Sequence, residues 1–394
     1  TEPHQVDCVP NPVVTNNADN GAGSLRRAVL QACSTAGQNT ITFNMGSVVS
    51  PITLTSGAVA LTKNVNINGP GANLLTVQNT LAGSRVFAHG GIITSVISGM
   101  TITGGGSSNG GSIFNSGTLT LSYVTVSNNS SSNGGGIRNA NGGVLTLNNS
   151  TVSNNSTTSS NGGGIDNGFG GTVTLNNSTI SNNSAANTGG GIQNGGTVTL
   201  NNSTLSNNSA TGGGGIYNLG GALDLNSSII ANSSGGDCST IGGTVNASYS
   251  LVEEGLTCLN GTNSNNLTGD PMLGPLANNG GPTQTHALMP TSPAYDKGNA
   301  FGLTLDQRGA GFPRTINNPS IPPATGGDNT DIGAFEIQNT PPTIAAVATT
   351  RQAGSPVSNS TIANVTDAES GNGGVVVTVT TANPSNGVTI SNIV

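Results

Sequence analysis

The chain has 394 residues, of which only 6% are charged and 61 are glycine, and its formal net charge is −7. A surplus of acidic side chains repels phosphate backbones and anionic lipid surfaces, so nucleic acid is excluded as a partner. No stretch approaches the roughly 18 to 20 apolar residues that a spanning helix needs, so no membrane span is expected.

The first 40 residues are predicted to form an N-terminal cap that contains a short helix. Leu25, Val29 and Cys33 recur at helical spacing, and Ser24 stands where an N-cap residue is expected. Such a helix would cover the exposed edge of the first strands that follow it.

A repeat occupies the middle of the chain, between about residues 110 and 234. Each unit has three short apolar stretches, and an Ile opens the first of them at Ile113, Ile137, Ile165, Ile192 and Ile216. Stretches such as Thr172 to Leu175 alternate Thr with an aliphatic residue, which is typical of a strand with one buried face. Three short strands that recur in the same order must wind as a coil. We therefore predict an all-β fold, a right-handed parallel β-helix over residues 41–270.

Stacked parallel coils lie about 4.8 Å apart, so equivalent side chains lie above one another and form ladders. An Asn stands two residues after each repeated Ile, and we predict a ladder of Asn115, Asn139, Asn167, Asn194 and Asn218. The Asn-Asn-Ser corners are expected to stack in the same way. These corners also match the N-glycosylation pattern, so glycans at Asn149, Asn177 and Asn202 are the alternative.

Four cysteines lie near the ends of the repetitive region, Cys8 with Cys33 and Cys238 with Cys258. Four cysteines allow three connectivities, and these two local pairs are the simplest. A metal site would need shorter spacings and nearby His, so we favour disulfides and expect no metal or other cofactor. Disulfides and a first residue other than Met indicate an extracellular or cell-surface protein that has lost a signal peptide.

Residues 271–338 are predicted to form a C-terminal cap of the β-helix. They hold the main concentration of charge, with five acidic residues and two arginines: Asp296, Asp306, Asp328, Asp331, Glu336, Arg308 and Arg314. We favour an ion-paired cap, and calcium binding by the carboxylates is the alternative.

The last segment, residues 339–394, differs in composition from the repeat. A Pro-containing linker leads into apolar stretches that resemble the start of a bacterial immunoglobulin-like or cadherin-like module. Such a sandwich needs about seven strands and only four fit here, so its sheet edges would be exposed. We expect Val388, Ile390 and Ile393 to form a strand that adds to a neighbouring subunit.

Several motifs carry a resemblance to known bacterial secreted proteins. The stretches Gly23-Ser24-Leu25-Arg26-Arg27-Ala28 and Ile67-Asn68-Gly69-Pro70-Gly71 resemble the pectin-lyase-like right-handed β-helix superfamily. The later stretches are similar to the choice-of-anchor Q surface-protein family: Asn279-Gly280-Gly281-Pro282-Thr283, Ser292-Pro293-Ala294, Asp306-Gln307-Arg308-Gly309 and Asp331-Ile332-Gly333. The resemblance covers residues 12–337 and implies a β-helix, export and surface display, with no activity generally assigned.

Catalysis is not expected, because sugar-cleaving enzymes need clustered carboxylates with a partner acid or base. Between residues 90 and 236 the only charged residues are Arg138, Asp166 and Asp224, and we expect no pair of them to share a site. Sugar binding favours aromatic platforms, but the aromatic residues of the repeat are expected to be stacked or corner residues: Phe114, Tyr123, Phe169 and Tyr217.

Three functions remain, in order of preference. The first is a non-enzymatic structural or surface protein that polymerises head to tail with copies of itself. The second is an adhesin that recognises a glycan or a host protein along the coil face. The third is a polysaccharide lyase or hydrolase, which would release unsaturated or reducing sugar ends.

Overall fold

The structure is a computed structural model that describes residues 8–35 and 39–338 and the backbone of two further strands. The chain divides into two compact units, residues 1–337 and residues 338–394. In the second unit, the strands Thr343–Ala346 and Ala363–Thr366 pair antiparallel. The predicted assembly strand lies outside the described residues, with all three of its apolar positions: Val388, Ile390 and Ile393.

The first unit is a parallel β-solenoid, which confirms the fold that the repeat predicts. Its coils stack into three parallel sheets of eleven, nine and eight strands, and neighbouring strands in each sheet come from successive coils. The coils pair in the register of the sequence repeat, with Ile137 opposite Ile165 and Asn139 opposite Asn167. Equivalent residues therefore lie directly above one another along the axis.

Each sheet follows the coil order. The eleven-stranded sheet contains Val13–Val14, Thr40–Phe43, Asn66–Asn68, Thr94–Ser98, Thr118–Ser122, Val144–Asn148, Thr172–Asn176, Thr197–Asn201, Ala222–Asn226, Thr244–Ser248 and Asn263–Ser264. The nine-stranded sheet contains Ile52–Leu54, Thr76–Asn79, Thr101–Thr103, Thr125–Ser127, Thr151–Ser153, Thr179–Ser181, Thr204–Ser206, Ile229–Ala231 and Leu251–Val252. The eight-stranded sheet contains Val59–Leu61, Phe87–His89, Ile113–Asn115, Ile137–Asn139, Ile165–Asn167, Ile192–Asn194, Ile216–Leu219 and Cys238–Ile241. Two smaller parallel strands, Ser130–Ser131 and Ser156–Thr157, pair at the corner that follows the nine-stranded sheet.

The interior is a continuous aliphatic core to which every coil contributes. In the strand Thr172–Asn176, Val173 and Leu175 point inward and are buried, while the Thr and Asn side chains between them are partly exposed. The corner between the eleven- and nine-stranded sheets turns through a residue with left-handed backbone, such as Asn177 with φ of 46°. Asn tolerates this conformation better than most residues other than glycine, which explains the repeated Asn-Asn corners.

A short helix, Leu25–Gln31, covers the N-terminal coil as predicted. The hydroxyl oxygen of Ser24 accepts a hydrogen bond from the backbone N–H of Arg27 at 3.2 Å, so Ser24 is the N-cap. Leu25 and Val29 face inward, are at most 5% exposed and belong to the solenoid core. The helix therefore shields the open end of that core from water.

Residues 271–337, called the flank segment below, leave the coil path and lie along the outer face of the nine-stranded sheet. Two of its strands, Leu273–Ala277 and Thr285–Leu288, pair antiparallel. The outward-facing Thr179 is fully buried beneath the segment, whereas the equivalent Thr125 two coils earlier is partly exposed. The segment predicted as a C-terminal cap thus packs against the side of the coils.

Candidate functional site

The predicted asparagine ladder is formed inside the solenoid. Nδ2 of Asn115 donates to Oδ1 of Asn139 at 2.7 Å, and the same bond repeats at 2.8, 2.9 and 2.8 Å as far as Asn218. Nδ1 of His89 lies 2.7 Å from Oδ1 of Asn115 at one end, and Asn218 donates to the hydroxyl of Thr240 at the other. The five amides are at most 1% exposed, so they hold coils together and face no ligand.

The Asn-Asn corners also form ladders, with one Asn of each pair stacking and the other making the left-handed turn. Where the chain passes from the eleven- to the nine-stranded sheet, the first Asn stacks on the partly exposed side: Asn148, Asn176, Asn201 and Asn226. Asn226 is followed by Ser227, which makes the left-handed turn in place of an Asn. After the nine-stranded sheet the second Asn stacks in the interior: Asn129, Asn155, Asn183 and Asn208. The sequence predicts stacking at both corners, and the backbone conformation decides which amide takes part.

The three glycosylation candidates use their side-chain nitrogen to hold the flank segment. Nδ2 of Asn149 donates to the carbonyls of residues 306 and 307 at 2.9 and 3.1 Å. Nδ2 of Asn177 donates to the carbonyl of Leu305 at 2.8 Å, and that of Asn202 to the carbonyl of Asn299 at 3.1 Å. Asn177 and Asn202 are 4% and 0% exposed, so a glycan on either nitrogen has no room in this packing.

Both predicted disulfides are formed. Cys8 bonds to Cys33 with Cα atoms 4.9 Å apart, and Cys238 bonds to Cys258 with Cα atoms 5.9 Å apart. The first links the start of the described chain to the end of the capping helix. The second brings Cys258 onto the last coil, where it packs against the core at 4% exposure. The disulfides therefore tie down the two ends of the solenoid.

The motif Asp306-Gln307-Arg308 joins the flank segment to two coils. Nε2 of Gln307 donates to the hydroxyl of Thr151 at 2.9 Å, and its Oε1 accepts from the hydroxyl of Thr179 at 2.6 Å. Arg308 forms an ion pair with Asp306 at 2.6 Å, and its guanidinium stacks between the rings of Phe312 and Phe335. The fully buried amide of Gln307 thus sets the position of the segment along the coils.

Four further charged residues of the flank segment are buried beside this motif: Asp296, Arg314, Asp331 and Glu336. Arg314 lies 3.7 Å from Glu336, and both side chains are fully buried. Burial raises the pKa of Asp331 to about 7 and that of Asp296 to about 6. Among the described residues, no three His, Cys, Asp or Glu side chains form a group that could hold a metal ion. The carboxylates are used by arginines and backbone N–H groups, as in the ion-paired interpretation.

One Ser–His pair has the contacts of a nucleophile and a base. Nε2 of His286 lies 2.9 Å from the hydroxyl oxygen of Ser181, and Nδ1 lies 2.7 Å from the carbonyl oxygen of Gly274. With Nδ1 protonated and donating to the carbonyl, Nε2 accepts from Ser181. Both side chains are at most 2% exposed beneath the flank segment, so no substrate reaches them in this packing. The pair fastens the segment to its coil.

The expectation that no charged pair of the repeat shares a site is wrong. The coils stack in register, so Arg138 and Asp166 are neighbours on the outer face of the eight-stranded sheet, and their side chains form an ion pair. Burial raises the pKa of Asp166, and Arg138 opposes that rise. Asp224, on a different sheet, accepts from Nδ2 of Asn246 at 2.7 Å. Arg138 and Asp166 each directly follow a repeated Ile. Their equivalent position in the repeat is the sequence feature that indicates they are neighbours.

A small cleft of about 190 Å³ opens beside this ion pair. Phe169 lines it and is 65% exposed at the turn after the strand Ile165–Asn167, so it is one of the expected corner residues. Gln193 continues the row of Arg138 and Asp166 on the next coil. The hydroxyl of Thr188 lies 2.8 Å from Oε1 of Gln193, which fixes the orientation of that amide. The cleft is therefore lined by charged, amide and aromatic groups from successive coils.

Comparisons with known proteins found no match for this chain. No protein-family model matches the chain, and no curated protein or solved structure is significantly similar to it. In the part of the chain that the structure describes, no helix is long and apolar enough to cross a bilayer.

Proposed function

We propose that this chain is a non-enzymatic extracellular protein whose solenoid is a rigid structural rod, displayed at the cell surface or polymerised into a fibre. The observation that carries the proposal is the interior ladder from Asn115 to Asn218, whose buried bonds of 2.7 to 2.9 Å link successive coils. In such a ladder, polar side chains provide cohesion along the axis, and the number of coils sets the length of the rod.

Two further observations support an extracellular location. The disulfides Cys8–Cys33 and Cys238–Cys258 persist in oxidising compartments and are rare in reducing ones. The motifs that resemble choice-of-anchor Q surface proteins fall in the flank segment, where Gln307 and Arg308 have buried structural roles. On these two grounds, we include secretion and surface display in the proposal.

The proposed fibre forms by strand addition between subunits. Val388, Ile390 and Ile393 belong to an apolar stretch at the end of the chain, a pattern suited to completing the sheet of a neighbour. The donor strand and the accepting edge differ, so the contact is head to tail and does not close into a ring.

The experiment is electron microscopy of the purified chain together with its molar mass in solution. We expect filaments from the full chain and single subunits after deletion of residues 340–394. A full-length variant with Val388→Ser, Ile390→Ser and Ile393→Ser should also stop assembly. Its control is Thr389→Ala with Ser391→Ala, which changes the interleaved polar positions of the same stretch. Fibres that persist in the deletion variant would refute strand addition.

A second candidate is an adhesin that binds a glycan or a host protein. The cleft beside Arg138 and Asp166 favours it, because non-repeating polar and aromatic side chains meet there. The third function, a polysaccharide lyase or hydrolase, predicts release of unsaturated or reducing sugar ends. We expect no such release from polysaccharides incubated with the purified chain.

A further inference from the structure

We infer that the cleft on the eight-stranded sheet binds a neutral sugar, one uncharged hexopyranose unit of a glycan. This inference goes beyond the rod function, since a rod needs no ligand site. It rests on the size of the cleft, on its exposed aromatic side chain, on the polar groups around it and on its internally balanced charge.

The size of the cleft suits one small ring. Its volume of about 190 Å³ is below the ~300–1,000 Å³ of sites that enclose drug-sized ligands. It opens on the outer face of the sheet, so the rest of a glycan chain can continue along neighbouring coils. One bound unit, with the remainder outside, matches this geometry.

An aromatic and an aliphatic side chain form its apolar wall. Phe169 is 65% exposed and lies at the corner between the eight- and eleven-stranded sheets, and Leu219 lines the cleft from a later coil. The intervening coil has Gly195 at this corner, where an added Cβ would lie 3.5 Å from Phe169. The C–H face of a pyranose ring is apolar, so it can pack against the exposed ring of Phe169.

The polar wall is oriented before any ligand arrives. Oε1 of Gln193 accepts from the hydroxyl of Thr188 at 2.8 Å, and Oδ1 of Asn161 accepts from the backbone N–H of Thr188 at 3.3 Å. With both amide oxygens engaged, the amide nitrogens are the groups that remain to donate to a ligand. Hydroxyl oxygens of a sugar accept from such donors, and sugar hydroxyls can donate to the carboxylate of Asp166.

The charge of the cleft selects an uncharged ligand. Arg138 and Asp166 form an ion pair, so the cleft has no net charge from these two residues. An acidic sugar is attracted by Arg138 but repelled by Asp166, and a cationic ligand meets the reverse, so neither recovers the hydration that its charge loses on binding. A neutral ligand rich in hydroxyl groups makes hydrogen bonds to both without either penalty.

The test measures binding of the full chain to glucose, galactose, mannose, N-acetylglucosamine and galacturonate by calorimetry or ligand-observed NMR. At least one neutral sugar should bind with a Kd of about 1 mM, as expected for a ligand of this size, and galacturonate should bind more weakly. Phe169→Ala should weaken binding of the neutral sugar about tenfold. Ile92→Ala is the matched control, because Ile92 is a fully exposed apolar residue at the same corner several coils away.

A charge variant tests the selection directly. Asp166→Asn leaves Arg138 without its carboxylate partner, so the preference should shift toward galacturonate by about fivefold or more. Absence of binding to every neutral sugar overturns the inference. It is also overturned if wild type prefers galacturonate, or if Ile92→Ala weakens binding as much as Phe169→Ala. Circular dichroism confirms that each variant retains its β content, and fibre formation is scored separately.

Discussion

The coils and the flank segment bury polar side chains in different ways. The coils use neutral amides, and each ladder Asn donates to the next coil while it accepts from the previous one. The flank segment uses separate ion pairs, such as Arg314 with Glu336 and Arg308 with Asp306. An amide ladder can be extended by adding a coil, whereas an ion pair links only its own two side chains. The repeat therefore determines the length of the solenoid, and the flank segment binds at one position along it.

We expect the largest effect from removing one charge of a buried ion pair in the flank segment. Arg314→Met removes a fully buried cation and leaves Glu336 and Asp331 without it, so the flank segment should lose ~3–5 kcal/mol of stability. Limited proteolysis should then cut the flank segment while the coils stay intact. Arg27→Met, at a partly exposed position on the capping helix, should cost less than about 0.5 kcal/mol. Equal loss in the two variants would contradict the account.

A smaller but still large effect is expected from interrupting the neutral ladder. Nδ2 of Asn167 donates to Asn194 and to the carbonyl of Gly171, so Asn167→Ala leaves buried polar groups unpaired. We expect a loss of ~2–4 kcal/mol in chemical denaturation. In the same coil, Asn176→Ala interrupts the partly exposed ladder, where water replaces the amide, and should cost about 1 kcal/mol or less. Similar costs for both variants would show that burial of the ladder is unimportant.

The interior ladder contains one titratable side chain, His89, which lies at one end. Burial lowers the pKa of His89, and its Nε2 is buried with no hydrogen-bond partner in the described part of the chain. As pH falls through about 6.5 the unfolded chain takes up a proton that folded His89 resists, so stability is lost. His89→Asn extends the ladder and removes this loss. Its stability relative to wild type should rise between pH 7.5 and 5.5, measured by urea unfolding, and a constant difference would argue against the buried neutral His.

The flank segment should respond to pH in the opposite direction. The pKa of Asp331 is raised to about 7, so the folded segment takes up a proton before the unfolded chain does. Its stability is therefore lost as pH rises through 7 and is regained as pH falls. Between pH 8 and 6.5 we expect a gain of about 1 kcal/mol, measured by urea unfolding with tyrosine fluorescence. Below about pH 6.5 His286, whose pKa burial lowers, offsets part of this gain. A flank segment that weakens from pH 8 to 6.5 would contradict the raised pKa.

The repetitive part of the molecule was readable from the sequence because each feature recurs. Five copies of the Ile-x-Asn step gave the register, and register alone placed Asn115 to Asn218 in one ladder. The same reasoning would have paired Arg138 with Asp166, since both follow the repeated Ile by one residue. The capping helix was readable from local signals, namely Ser24 and the apolar spacing behind it.

The lateral position of the flank segment could not be read in this way. It depends on single long-range matches, such as Gln307 with Thr151 and Thr179, which are more than 100 residues away along the chain. Nothing in the repeat distinguishes these threonines from the uncovered Thr125. The use of Asn149, Asn177 and Asn202 to hold the segment follows from that docking, so the sequence offered only stacking, with glycans as the alternative, for these residues.

The most direct test of this two-part account is native-state hydrogen exchange on the full chain. The backbone N–H of Gly333, which donates to the carbonyl of Ser227, reports on the flank segment. The N–H of Ile165, which donates to the carbonyl of Gly191, reports on the coils. We predict that Gly333 exchanges through an opening that costs less free energy than global unfolding, while Ile165 exchanges only when the solenoid unfolds. Equal opening free energies for the two would contradict the account, because coils and flank segment would then be one cooperative unit.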